Sequence, residues 1–589
     1  MASRRLSQNP ARIRQRLATL DASPPPEVFQ RRLKLRRRLS VALLCVLTAV
    51  LLSVSFAPFD CWWFGHVAMV PWMVALASAS RGRWAVMWSW LAGVLFWAAN
   101  LHWLWWITLP GYFALVPYLS VYWLVAASMI RAALRRNWPM WIVFPVVWVA
   151  LEFARAHVIG GFPWFFLAHS QYRQPRLIQI ADLTGQYGVS FFVAMVNGAL
   201  VDVLVSPLFV RSKQGPRVTR RMAIGVGTAL LTAGGLLGYG TWRLNQDTLT
   251  EGPDIAVVQA AFRNTIRGRE SRTDEVLDAH LMQIRDLRPG EADLVAVPET
   301  MFPPGLNPDL LTADLRTFNR DQLLWLARNL GLRELVKDVE SDAVLRAYVA
   351  TVLRKGIDLP EDTPEGERFR TLKSFAEEIA EESRRLDCPI LGGGGTWHRN
   401  DAPMYPGDLF LRENSALWFE GDWRIRHRYA KRHLVPFGEY VPFKHSWPWL
   451  HRTLRWFVPG PMPQLSPGRT TDPFVLDRAG RRWLVVTPIC YEGTFARVCR
   501  ELVAAARRKA DRKEDPPPVI TVNLSNDGWF VWRDSRGVAR ASTEQAQHLA
   551  SYVFRAVENR TPVVRAVNTG ISASITPNGR IAAVLERHG

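Results

Sequence analysis

The sequence predicts a multi-pass α-helical membrane bundle followed by an α/β layered domain. Three observations carry that expectation. Apolar runs of about 20 residues, the length that spans a bilayer as helix, recur up to residue 240. From Pro253 onward, short apolar strands alternate with charged helical stretches. Hydrophobic residues make up 49% of the 589-residue chain, with 26 Trp, yet the formal charge is +21. Such a mixture fits apolar spans joined to a soluble body.

The first element is a basic arm, residues 1–38, in which Arg and Lys stand against only Asp21 and Glu27. A basic arm can bind nucleic acid, but this one runs directly into an apolar span. It reads as a cytoplasmic anchor set by the positive-inside rule and drawn to anionic lipid. Residues 39–240 form the membrane part, with spans expected at about 39–58, 61–79, 84–108, 111–133, 139–158, 187–209 and 222–240. The first is no cleaved signal peptide, because it is long and leads straight into a second span. With the N-terminus inside, the inside loops carry Arg81 and Arg83, then Arg131, Arg135 and Arg136, then Arg211, Lys213, Arg217, Arg220 and Arg221. The turns near Phe59 and Pro110 carry no such charge, and the outer segment 159–186 holds Arg173 and Arg176. Seven spans then place everything after residue 240 outside the cytoplasm. Spans two and four contain Pro71 and Pro117, and loss of either would reverse that side.

Gly160-Gly161-Phe162-Pro163-Trp164-Phe165-Phe166 is too broken for a span and too apolar for an ordinary loop. Two readings stand side by side: a re-entrant segment that helps admit a lipid, or packing between spans. Trp62, Trp63, Trp103, Trp105 and Trp106 fit interfacial belts or helix packing.

The soluble domain, about 250–589, has strand candidates at 255–261, 294–298, 389–393, 415–419, 483–489, 519–523, 563–566 and 572–576. Helical stretches fall at 270–287, 370–386 and 543–558. Residues 305–368 read as a helical insertion, a cap over a site or a tolerated surface addition. Gly392–Gly395 lacks the Lys-Ser/Thr of a phosphate loop and reads as a strand-end turn. The five cysteines are scattered with no CxxC or Cys/His cluster, so a disulfide framework or zinc site is not expected. His433 and His548 lack ligand-spaced partners, and no metal or other cofactor is expected.

Chemistry concentrates at three strand ends: Glu299 after Leu-Val-Ala-Val-Pro, Lys431 in Lys-Arg-His-Leu-Val-Pro-Phe-Gly-Glu, and Cys490 in Ile-Cys-Tyr-Glu. Each has a plain alternative. A lone cysteine is a small buried hydrophobe, and acids at strand ends or lysines in mixed-charge runs are often simply solvated. Together they supply what a thiol nucleophile requires, a base for its proton and a cation for the oxyanion.

With these flanks the chain resembles the apolipoprotein N-acyltransferase family, the membrane branch of the nitrilase (carbon–nitrogen hydrolase) superfamily. The likeness extends over Gly160–Trp164, Pro298-Glu299-Thr300, Lys431–Glu439, Cys490-Tyr491-Glu492, Asn523–Asp527 with Trp529-Phe530, and Asn568–Ser572. It implies a nitrilase-like αββα sandwich on a helical bundle, with Glu299 as general base, Lys431 as electrophilic partner and Cys490 as nucleophile. Glu439 resembles an additional acid, and Glu492 would hold the neighbouring loop. The implied reaction takes an acyl chain from a phospholipid through a cysteine thioester to the amine of a diacylglyceryl apolipoprotein. It implies a bacterial inner membrane, the catalytic domain on the periplasmic face, lipid partners and no nucleic acid. Trp447, Trp449, Leu450, Trp456, Phe457 and Val458 read as an apolar flap that binds substrate, with core packing as the competing reading. Trp529 is placed at the pocket wall. The same triad would also serve a membrane-anchored amidase that uses water, and a non-catalytic lipoprotein-binding scaffold is a further alternative. The sequence stops at Gly589 without the closing apolar span of the family pattern, which fits either a truncation or a domain tethered on one side.

Overall fold

The computed structural model describes residues 26–79, 82–205, 210–212, 215–217, 220–265, 268–269, 273–330, 332, 335–354, 372–401, 409–425, 427–456, 458, 464–510, 516–536 and 539–585. The membrane half contains helices α1 (Pro26–Ser55), α2 (Val70–Ser78), α3 (Gly82–Asn100), α4 (Leu109–Arg135), α5 (Met140–Arg155), α6 (Gln186–Val205) and α7 (Arg220–Leu244). Among the described residues, 109–135, 186–205 and 222–244 are helices long and apolar enough to cross a bilayer. Outward residues such as Leu43, Phe113, Met129, Leu230 and Leu231 are exposed apolar side chains, the surface a bilayer would cover.

Two expectations about the spans change. The segment 61–79 is not one continuous helix but a 3₁₀ turn, Trp62–His66, followed by the nine residues of α2. At 1.5 Å per residue α2 is about 14 Å long, half a bilayer core. Pro71 starts the helix rather than interrupting it, because a first-turn proline needs no intrahelical donor. Inside a membrane the broken backbone must find partners within the protein, and it does. Asn197 of α6 accepts from the Met69 amide (2.9 Å) and donates to the Gly65 carbonyl (2.9 Å), while Thr48 of α1 accepts from the Trp72 amide (3.0 Å). Trp72 is fully buried and donates to Ser89 of α3 at 2.8 Å. The span expected over 84–108 ends at Asn100 and is followed by a separate turn at Leu104–Ile107.

The half after residue 250 has two large sheets. The first runs β1 (Ile255–Val257), β2 (Leu294–Phe302), β3 (Ile390–Arg399), β4 (Phe410–Phe419) and β5 (His427–Ala430), neighbouring in that order. The second is β6 (Phe474–Arg478), β7 (Arg481–Val486), β8 (Val519–Asn526), β9 (Val563–Asn568), β10 (Ala573–Ile575) and β11 (Ile581–Val584), again in order. Helices α8 (Thr273–Asp286), α9 (Arg320–Asn329), α10 (Asp342–Arg354) and α11 (Leu372–Leu386) precede or interrupt the first sheet's strands. Helices α13 (Ala496–Ala510) and α14 (Glu544–Asn559) belong with the second, and α12 (Pro448–Trp456) lies in the connection between the two sheets. Strand alternation sorts the core. Leu294 and Ala296 of β2 pack with Val522 and Leu524 between the sheets, whereas Val295 and Val297 pack with Leu277 and Ile379 of the outer helices. That is an αββα sandwich.

Leu323, Leu326, Leu345 and Val349 of α9 and α10 are fully buried in the same outer core, so these helices within 305–368 extend it. Residues 360–367 of this insertion lie outside the described residues. Gly392–Gly395 is not a turn: it is the middle of β3. The outer face of the second sheet meets the membrane half, where Tyr552, Val553 and Val557 of α14 share one core with Tyr172, Ile178 and Val189. Gly160–Phe166 is enclosed between the two halves. Trp164 and Phe166 are buried, and Tyr491 donates to the Gly161 carbonyl at 2.9 Å.

Candidate active site

Glu299 reaches its position through a break in β2. Val297 pairs with Gly392 and Phe302 with Gly394, so six residues of β2 face three of β3. The extra residues bulge, and Thr300 takes a left-handed φ of 59°. The bulge brings backbone against backbone: a Cβ on Gly393 would lie 2.5 Å from both the Glu299 Cα and the Thr300 N. Only glycine fits there.

Lys431 follows β5 and is buried. Its Nζ donates to Glu439 Oε1 at 2.9 Å and to Glu299 Oε1 at 3.3 Å. Asn414 of β4 spans the same two carboxylates, giving its amide hydrogens to Glu299 Oε1 (2.7 Å) and Glu439 Oε1 (2.9 Å). The other Glu439 oxygen accepts from the Val435 amide at 2.8 Å, which closes the loop between lysine and acid.

Cys490 opens a 3₁₀ turn after β7, with φ of 48°. A non-glycine residue in that region is strained and persists only where its surroundings dictate it. Glu492 dictates much of it. It is fully buried and accepts from the Ile489 amide (2.9 Å) on one side of the cysteine. On the other it accepts from the Arg432 and His433 amides (2.7 and 3.0 Å) and from the Tyr429 hydroxyl. One carboxylate thus ties the cysteine turn to the lysine loop.

The charges follow from this packing. Burial alone would depress the Lys431 ammonium, but Glu439 and Glu299 reverse that and hold it charged, well above its usual range. Burial pushes the Glu299 carboxyl up, Lys431 opposes, and Glu439 adds to the rise. Burial and the Glu299 charge push the Cys490 thiol well up against the pull of Lys431. The thiol therefore rests neutral beside the Lys431 ammonium. Thiol ionisation must accompany reaction rather than precede it.

Behind the cysteine, Asp527, Glu544 and His548 bring ligand-type atoms within 4.8 Å of one another, all buried. Arg565 already supplies the cation there, 3.7 Å from Asp527. Burial would raise the Asp527 carboxyl, but His548 and Arg565 hold it below its usual value. Burial and Asp527 push Glu544 well up, toward the neutral acid.

Glu299, Lys431, Cys490, Glu439 and Glu492 therefore converge. The expected substrate-binding residues do not form one wall. Trp456, at the end of α12, is 82% exposed, and Trp529 is 39% exposed on the turn after β8. Phe457 lies outside the described residues. Trp447 and Trp449 are also exposed, while His451 anchors α12 by its contacts with the Val441 and Pro442 carbonyls. Asn414, Tyr429 and Tyr552 are site residues that sequence reasoning missed. A polar run, Glu413-Asn414-Ser415, immediately before an expected apolar strand was the available signal for Asn414.

Residues 254–588 match the family model described as carbon-nitrogen hydrolase, and residues 48–199 match the apolipoprotein N-acyltransferase N-terminal domain. An apolipoprotein N-acyltransferase of Geobacter metallireducens is 28% identical over 551 residues, covering 92% of this chain and 86% of its own. That of Rhodopirellula baltica is 28% identical over 567 residues, covering 92% and 88%. Among solved structures, Saccharomyces cerevisiae Nit3 of the nitrilase superfamily aligns at 14% identity and a TM-score of 0.29, over 56% of this chain and 85% of its own.

Proposed function

This chain belongs to the carbon–nitrogen hydrolase family, as a membrane-bound N-acyltransferase of the apolipoprotein type, and we propose how its residues carry the reaction. The donor is a phospholipid and the acceptor is the α-amine of an S-diacylglyceryl-cysteine lipoprotein. Glu299 accepts the Cys490 thiol proton as sulfur attacks the ester carbonyl. The oxyanion is held by the Lys431 ammonium and the Tyr491 amide, each such donor contributing about 3 kcal/mol in comparable sites. Collapse expels the glycerol oxygen, which takes the proton from Glu299 and leaves as lysophospholipid. The acceptor amine then attacks the thioester and gives its proton to Glu299. Cys490 departs as thiolate and recovers that proton, leaving an amide and the starting enzyme.

Glu439 and Asn414 orient Lys431 and Glu299. Glu492 keeps the cysteine turn and the lysine loop in register. The observation that carries the reading is the Glu299–Lys431 contact of 3.3 Å beside a strained cysteine whose neighbour, Tyr491, bonds directly to the membrane half. Both substrates are lipids, and a thioester formed at the bilayer edge is sheltered from water. The exposed Trp447, Trp449 and Trp456 and, on the turn after β8, Trp529 are the side chains offered to the acyl chains, without forming a single wall. The loop charges support the N-terminus inside and residues beyond Leu244 on the periplasmic side, with the turn Trp62–His66 and the half-length α2 together taking the place of the second crossing.

The test is intact-mass spectrometry after incubation with phosphatidylethanolamine. Wild type gains one hydroxylamine-labile acyl mass on the Cys490 peptide, and Cys490→Ala gains none. An unmodified Cys490 in folded, membrane-inserted protein refutes the thioester.

A further inference from the structure

We infer that Arg565 is a positioning residue for the nucleophile, holding the strained Cys490 turn through Asn523 and Tyr552. This rests on the acyl-transfer reading above. The peptide carbonyls of Pro488 and Cys490, on either side of Ile489, each accept from a buried side chain. Asn523 Nδ2 donates to Pro488 O at 2.9 Å, and the Tyr552 hydroxyl donates to Cys490 O at 2.8 Å. Neither donor is anchored by its own backbone alone. Asn523 could present either end of its amide, and Tyr552 could swing away with its ring.

Arg565 settles both. It lies directly across from Asn523 in the β8–β9 pairing, and its Nε donates to Asn523 Oδ1 at 3.1 Å. That contact fixes the amide with its NH₂ toward Pro488. The same guanidinium stands over the Tyr552 ring, 4.5 Å from its centroid, a cation–π contact strengthened by burial. Arg565 is fully buried, and Asp527 and His548 flank its NH₂ at 3.7 and 3.4 Å. The hydroxyl end of the tyrosine ring lies against Gly493, where a Cβ would come within 1.9 Å of Tyr552 Cζ. The ring is therefore seated by its contacts with both the guanidinium and the cysteine turn. A planar fork is needed for this, since a lysine ammonium is a point charge that cannot both face a ring and direct an amide.

The experiment follows a single turnover of the full-length enzyme in nanodiscs with phosphatidylethanolamine, reading the rate constant and the amplitude of Cys490 acylation. The variants are Arg565→Lys, Tyr552→Phe and the pair. Amplitude counts competent molecules, so a merely destabilised protein loses amplitude and keeps its rate constant. Displacing the sulfur by about 1 Å lowers the rate constant on the order of 100-fold in Arg565→Lys, with the half-saturating phospholipid concentration unchanged. Adding Arg565→Lys to Tyr552→Phe lowers it by less than on wild type, because the Tyr552 arm is already lost and only the Asn523 arm remains. A rate constant within twofold of wild type in Arg565→Lys overturns the inference, as does full additivity in the pair. If Arg565→Lys yields no folded protein, Tyr552→Phe alone decides, and a wild-type rate constant there overturns it. Absence of acylation in wild type would instead overturn the acyl-transfer reading.

Discussion

Gly393→Ala tests the link between strand geometry and the base. The added Cβ would sit 2.5 Å from the Glu299 Cα and the Thr300 N, against 3.4 Å for ordinary contact, so backbone must move by about 0.9 Å. No side chain can yield instead, because the opposing atoms are main chain. The strand pair is buried on both faces, and overpacking of this kind typically costs about 1–3 kcal/mol, which leaves the protein folded. The catalytic effect is larger. A displacement near 1 Å at a reacting group lowers rates on the order of 100-fold. The assay is the single-turnover rate of Cys490 acylation, with amplitude reporting the folded fraction. A rate constant within threefold of wild type at full amplitude would refute the claim that Gly393 sets the position of Glu299.

Further outcomes follow from the same contacts. Lys431→Met lowers the acylation rate constant by about 10²–10³, the effect of losing one oxyanion donor, and raises the apparent pKa of the acid limb, because Glu299 loses the ammonium that opposes its rise; an unchanged rate–pH profile would contradict this. In wild type the base works only as carboxylate. Since burial raises Glu299, activity falls with decreasing pH along a limb centred above the ordinary glutamate value near 4.3, and a limb at or below that value would contradict the buried geometry. Glu492→Gln keeps one acceptor oxygen but points an NH₂ at amides that also donate. About 1–3 kcal/mol is lost per unmet buried donor, so the apparent melting temperature falls and Cys490 acylation slows; a melting temperature equal to wild type would show that Glu492 is not the tie between the two loops.

The parts of this site that are legible in the sequence are those carried by unusual residues in unusual places. An acid, a lysine and a cysteine at three apolar strand ends mark themselves. So does the alternation that separates the sandwich from the bundle. What supports them is written in ordinary residues whose role depends on a partner far along the chain. Asn414 acquires meaning only when β4 lays it between Glu299 and Glu439. Gly393 looks like part of a turn until the bulge of β2 is set against it. Arg565 and Tyr552 read as a strand residue and a helical aromatic, and only the β8–β9 pairing and the seat of α14 bring them to the cysteine. In the membrane half, hydropathy marks apolar length but not continuity. The break before α2 depends on Asn197 and Thr48, which accept its backbone groups from helices distant in sequence.

The most direct test of acyl transfer is a chase of the preformed acyl-enzyme. Enzyme charged at Cys490 with a ¹³C-labelled acyl chain is freed of phospholipid and mixed with a diacylglyceryl lipopeptide bearing a free α-amine. The account predicts that the label appears as an N-acyl amide on the lipopeptide while free fatty acid stays minor. Release of the label as fatty acid at the same rate with and without lipopeptide would contradict it, making water the true acceptor.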